Sequence, residues 1–253
     1  MSRQIPVVLI CLLDLIATAG GCARRPPLTA IIAGGSGPPT LVLLHGYGSS
    51  AERWAPFTQT IRWPAPGRFV FPQGPDLMVR TDGAPDGRAW WPLDLTSYIP
   101  AGEAVPNMSG ARPPGLKAAA SLVEALLHDR GSVPRGPVVL GGYSQGAMVA
   151  SEVAFGSRVP LSALVILSGA LVDERSWESQ FNERRGLPVF LAHGRRDRTL
   201  PFDAADRFRQ KLEAAGLQVT WCPFDGGHDI PAAVVIALND FLDRLHLGGT
   251  ARR

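Results

Sequence analysis

Pro137-Val138-Val139-Leu140-Gly141-Gly142-Tyr143-Ser144-Gln145-Gly146-Ala147-Met148-Val149-Ala150-Ser151-Glu152-Val153-Ala154 is the stretch from which the fold is read outward. Its first five residues are an apolar run of the kind that fills a buried strand, and its last eight suit a packed helix. Between them stands Gly142-Tyr143-Ser144-Gln145-Gly146, a Gly-x-Ser-x-Gly sequence at a strand-to-helix junction. So sharp a turn has room only for glycines beside the serine, and it holds the hydroxyl out above the sheet edge. The helix that begins there aims free N–H groups at any negative charge formed nearby. Ser144 is the candidate nucleophile.

A serine hydroxyl is a poor nucleophile alone, so a histidine base and an orienting acid are expected further on, in the order Ser, Asp, His. Pro188-Val189-Phe190-Leu191-Ala192 reads as a strand, and the loop after it, His193 to Pro201, carries Asp197. Gln218 to Phe224 reads as the next strand, and Asp225-Gly226-Gly227-His228-Asp229 follows it. The interval between Ser144 and Asp197 holds one further strand, Ala163 to Leu167, with its helix. The interval from Asp197 to His228 holds the helix Phe202 to Ala215 and one strand. Ser144, Asp197 and His228 therefore fall at the carboxyl ends of strands in one open α/β sheet, where such sheets place their sites. Asp173 also follows a strand and stands as an alternative acid. Ser168 lacks the elbow, and His45 precedes the nucleophile; both are read as structural, as is His193 at its strand end. Asp225 and Asp229 are read as loop residues.

The remaining chain continues the alternation of strand and helix. Thr40 to Leu44 and Arg68 to Phe71 read as buried parallel strands. Gly115 to Arg130 has the 3.6-residue apolar period of a helix. Pro231 opens a last helix whose core face is Val235, Leu238, Phe241, Leu242 and Leu245. Between Gln73 and Pro114 lies a Pro- and Gly-rich stretch without period, the kind of long loop that serves as a lid or binding loop. Two adjacent tryptophans in it, Trp90 and Trp91, are expected to give the cleft an aromatic wall. The expected architecture is single-domain α/β over residues 39–247, with a mostly parallel central sheet and helices on both faces. Residues 248–253 are expected to be a disordered tail.

Leu43-Leu44-His45-Gly46-Tyr47-Gly48, Gly141 to Ala147, Leu167-Ser168-Gly169, His193-Gly194 with Asp197, and Gly227-His228-Asp229-Ile230-Pro231 together resemble the α/β hydrolase superfamily. The closer resemblance is to its phospholipase/carboxylesterase group, which includes the acyl-protein thioesterases. The segment Arg88-Ala89-Trp90-Trp91-Pro92-Leu93-Asp94 departs from the Trp-Phe-Asp-like segment usual there. The resemblance implies an oxyanion hole built from the backbone N–H groups of Tyr47 and Gln145. It implies a serine carboxylic-ester hydrolase, carboxylesterase-, lysophospholipase- or thioesterase-like, that forms an acyl-enzyme. A stiff Gln73 to Pro114 loop with a flat tryptophan wall would make a shallow cleft that gains little from long chains, so small or medium acyl esters or thioesters are the expected substrates. A secreted polyester- or feruloyl-type esterase and a peptidase are the alternatives within the class. A non-catalytic binding protein on the same fold is the alternative outside it.

Composition narrows the partners. The 253 residues are 45% hydrophobic and 19% charged, as in an ordinary globular enzyme. The net charge of +3 comes from scattered arginines with no basic run or aromatic–basic motif, so nucleic acid is not an expected partner. Histidine and cysteine show no metal-ligand spacing, and no cofactor is expected. Arg3, the apolar Ile5 to Ile16 and the small residues Ala17 to Gly21 before Cys22 read as an export signal of lipoprotein type over residues 1–22. Export is expected, with either membrane attachment through a lipidated Cys22 or release as a periplasmic or secreted enzyme. Residues 23–38 read as a tether. Cys222 is then the one cysteine of the mature body, expected as a buried free thiol.

Overall fold

The computed structural model describes residues 28–101 and 106–247. The expected signal, Cys22 and the tail at 248–253 lie outside the described residues. In chain order the elements are β1 (Ala30–Gly34), β2 (Thr40–Leu44), α1 (Ala51–Trp54), β3 (Arg68–Pro72), β4 (Asp76–Val79), β5 (Pro85–Ala89), α2 (Leu116–His128), β6 (Val138–Tyr143), α3 (Gln145–Gly156), β7 (Ala163–Leu167), α4 (Glu174–Phe181), β8 (Pro188–Gly194), α5 (Phe202–Ala214), β9 (Gln218–Phe224) and α6 (Ala232–Arg244).

Each apolar run picked out above is a strand of one seven-stranded sheet, ordered β1-β3-β2-β6-β7-β8-β9. All its pairings are parallel except that of β1 with β3. Strands β2 and β7 are buried at every residue, because helices cover both faces of the sheet. On one face Val42, Leu44, Leu140, Leu164 and Ile166 pack under α2, α3, α4 and α5. On the other, Leu41, Leu43, Val139, Val165 and Phe190 meet α1 and α6. Helix α3 is buried at all but its last residue, which is why its sequence shows no polar stripe. This is the expected α/β architecture.

Two segments differ from expectation. Ala30–Gly34, inside the stretch read as a tether, is an edge strand paired along its whole length with β3. Its Ile31 and Ala33 pack on the core, so the folded domain begins before residue 39. Five residues among glycines and prolines carry too little periodicity to reveal a strand; here β3 decides the conformation. The second difference lies between Gln73 and Pro114, where β4 and β5 form a separate antiparallel hairpin. Pro-Asp-Gly-Arg-Ala has poor strand propensity. Pro85 stands at the strand's first position, where its missing N–H costs no ladder bond. The hairpin is held by the loop after β2: Gly48 N–H donates to the Arg88 carbonyl at 2.9 Å, and Arg88 N–H to the Ser49 carbonyl at 2.7 Å. The free Cys222 is half-buried in β9, and burial pushes its thiol above the usual range.

Candidate active site

Ser144 lies between the end of β6 and the first residue of α3, at φ 52° and ψ −117°. Such a conformation costs a non-glycine residue about 1–3 kcal/mol and persists only where its surroundings impose it. They do so here through the two glycines of the motif. A Cβ on Gly142 would run into the carbonyl group of Gly146, and one on Gly146 would run into the carbonyl oxygens of Leu44 and His45. The elbow therefore packs directly on the end of β2, so any larger residue at these positions would displace the serine.

The three strand-end residues converge. His228 Nε2 lies 2.8 Å from Ser144 Oγ, and His228 Nδ1 lies 2.7 Å from Asp197 Oδ2. The other carboxylate oxygen accepts the backbone N–H groups of Thr199 at 2.8 Å and Leu200 at 2.9 Å. His193, fully buried, brings its Nε2 to 3.3 Å from Asp197 Oδ2 and to 2.9 Å from the Leu200 carbonyl. Burial alone would raise the Asp197 carboxyl. Hydrogen bonds from His193, His228 and the Leu200 N–H outweigh it and hold the group well below the usual carboxylate range. Asp197 is thus an ionised acceptor that selects the His228 tautomer with its proton on Nδ1 and a lone pair toward Ser144. Asp173, the alternative acid, is committed elsewhere: its carboxylate pairs with Arg112 Nε at 2.9 Å at the start of α4.

Next to Ser144 lie the donors expected to form the oxyanion hole. Gly46 packs against the Tyr143 ring and the Ser144 Cβ, which brings the loop after β2 beside the nucleophile. Among the described residues, the backbone N–H groups of Tyr47 and Gln145 meet no hydrogen-bond acceptor. His45 braces this loop. Its Nδ1–H donates to the Gly46 carbonyl at 2.8 Å, and its Nε2 accepts from Gly74 N–H at 2.9 Å. Burial keeps this imidazole below the usual histidine range, consistent with a neutral ring.

Residues 29–246 match the profile of the phospholipase/carboxylesterase family. The chain belongs to that family. Acyl-protein thioesterase 1 of Neurospora crassa is 24% identical over 237 residues, spanning 87% of this chain and 91% of its own. Its counterpart in Kluyveromyces lactis is 28% identical over 183 residues, spanning 69% and 78%. Among solved structures, esterase PE8 superposes with a TM-score of 0.73 at 28% identity, over 87% of this chain and 100% of its own. Acyl-protein thioesterase 2 of Zea mays shares the fold at a TM-score of 0.66 and 22% identity, over 85% and 98%. This phospholipase/carboxylesterase family member is an enzyme, a hydrolase of carboxylic esters.

In this family member the two tryptophans do not form a cleft wall. Trp90 is 1% exposed and Trp91 3%, and both belong to the core over α2 and α3. Trp91 packs on Gly115, where a Cβ would run into its own. Trp90 ties the two halves of the oxyanion region together. Its indole N–H donates to the His45 carbonyl at 2.8 Å, and its backbone N–H to Gln145 Oε1 at 2.9 Å. Gln145 Nε2 in turn donates to the Trp91 carbonyl at 2.8 Å. Sequence reasoning missed this because neither partner is local: His45 and Gln145 come from different strand ends. Trp90→Phe keeps an aromatic ring in the core but loses the indole donor and some buried volume. It is expected to lower kcat about tenfold with KM changed less than about twofold, consistent with about 1–1.5 kcal/mol for the lost hydrogen bond. Steady-state kinetics on a p-nitrophenyl ester measures this; an unchanged kcat would separate Trp90 from the site.

Proposed function

We propose that this family member hydrolyses acyl esters and thioesters through a Ser144–His228–Asp197 triad and a covalent acyl-enzyme. One observation carries the reading: an unbroken chain of contacts from Asp197 through His228 to Ser144, beside two N–H groups that meet no acceptor among the described residues. His228 Nε2 takes the proton of Ser144 as Oγ attacks the acyl carbonyl, and Asp197 stabilises the resulting imidazolium. The N–H groups of Tyr47 and Gln145 receive the oxyanion, each such donor being worth about 10²–10³ in rate. Collapse expels the alcohol or thiol with a proton from His228. Water, activated by the same imidazole, then releases the acid.

The names of the relatives support the thioester arm, since the curated ones are acyl-protein thioesterases. With Trp90 and Trp91 buried, the flat wall that favoured short chains falls away. The exposed apolar side chains on the hairpin stitched to the Tyr47 loop are Leu77, at 54%, and Val79, at 60%. We propose that they contact an acyl group. A fluorophosphonate probe should label Ser144, and a p-nitrophenyl ester series run beside an acyl-thioester should reveal hydrolysis of both. No labelling and no turnover would leave a binding protein on a hydrolase fold.

The sequence before residue 28 supports a proposal of export, with Cys22 as the acylated N-terminus. Mass spectrometry of the protein from its native host is expected to show residues 1–21 missing and a lipid-sized increment on Cys22. An intact Met1 would overturn export. A free Cys22 at the N-terminus would overturn lipidation alone. Because one acyl chain binds membranes weakly, a fully acylated protein is expected to partition tightly.

A further inference from the structure

Tyr143, the residue before the nucleophile, makes a contact that the triad itself does not account for. Its phenol O–H donates to the backbone carbonyl of His228 at 2.7 Å. Its ring lies 5.1 Å from the His228 imidazole, centroid to centroid, at 39°. The ring of Trp54 lies 5.9 Å from it, centroid to centroid. We infer that Tyr143 is a positioning residue, which uses its hydroxyl to hold the backbone of the base so that the nucleophile and the base move as one unit.

The loop that carries the base explains why a hold is needed. His228 follows Gly226 and Gly227, and glycine pairs leave the backbone free unless something fixes it. Arg196 N–H secures Gly226 through its carbonyl at 2.9 Å. Among the described residues, the hydrogen bonds to the backbone of residues 227–230 are Tyr143 on His228 and a longer one, Ser168 Oγ to the Asp229 carbonyl at 3.4 Å, while the Gly227 carbonyl packs on Gly194. Tyr143 ends the same strand that presents Ser144, so its hydroxyl ties the histidine loop directly to the elbow. The donor is also durable. Burial, then the nearby charges of Asp197 and Asp229, push the phenol above its usual range, so it stays protonated in mildly alkaline solution.

The inference rests on the proposed triad, and the test separates the two. Tyr143→Phe keeps the ring against Trp54 and His228 and removes the hydroxyl alone. Relative to wild type, fluorophosphonate labelling and kcat are expected to fall about five- to tenfold, the scale of one hydrogen bond, with KM within about twofold. Hydrogen–deuterium exchange should become faster over residues 226–230 and stay unchanged in α2, which a general loss of stability would not produce. Unchanged exchange over 226–230, or an unchanged labelling rate, overturns the hold. Failure of the wild-type protein to label at Ser144 overturns the proposed triad, while the exchange comparison still decides whether Tyr143 secures the loop.

Discussion

Ser144→Ala is expected to lower kcat for ester hydrolysis by about 10⁵–10⁶-fold and to abolish fluorophosphonate labelling, because one residue supplies the nucleophile of a concerted unit. The fold should persist. The Ser144 side chain makes no capping hydrogen bond to α3, and alanine takes the same positive φ at a similar cost. His228→Ala should lose a comparable amount, because without Nε2 at 2.8 Å the hydroxyl keeps its proton. The double variant should be scarcely worse than either single one, since the second removal takes away a part that can no longer act. Kinetics on the three proteins, with circular dichroism to verify folding, measures this. Near-wild-type turnover by Ser144→Ala would sink the triad, and additive losses would mean that serine and histidine act in separate steps.

Asp197→Asn is expected to lower kcat by about 10⁴-fold, the scale seen when a triad acid becomes an amide. The reason is tautomeric. The Oδ1 position accepts two backbone N–H groups, so the asparagine oxygen belongs there and the amide NH₂ must face His228 Nδ1. The imidazole then carries its proton on Nε2 and offers Ser144 no lone pair. The same NH₂ meets His193 Nε2, now donor against donor. Asp173→Asn serves as the control and should leave kcat within about threefold, because its carboxylate serves Arg112. Stability should follow linkage. The Asp197 carboxyl is depressed in the folded state, so its contribution is present above the ordinary carboxylate pKa of about 4 and is lost as pH falls toward the lower folded value. The Tm difference between wild type and Asp197→Asn should therefore narrow on acidification below about pH 4. A constant difference would mean that the carboxylate charge is not what the fold favours.

Much of this enzyme was legible in its sequence because the decisive signals are local. A short continuous apolar run bounded by turn residues fits a strand covered on both faces, and β2, β6, β7 and β8 were read that way. Gly142 and Gly146 declared the elbow because its geometry excludes side chains at both positions. Chain order then placed Asp197 and His228 at strand ends. What remained open depended on partners distant in sequence. The sequence favoured Asp197 and left Asp173 as an alternative; in the structure Asp173 meets Arg112 while Asp197 meets two histidines.

Trp90 and Trp91 were misplaced for the same reason. A loop with no period gives no sign of which side chains it will bury, and the acceptors that draw Trp90 inward belong to His45 and Gln145. Strand β1 and the β4–β5 hairpin exist through pairing with β3, with each other and with Ser49, against weak intrinsic preference. Local sequence thus determined the sheet, the elbow and the kind of chemistry, since sterics and burial act over a few residues. The hold on the histidine loop and the burial of the tryptophans were left to tertiary structure, because hydrogen bonds between remote segments exist only once the sheet has brought their ends together.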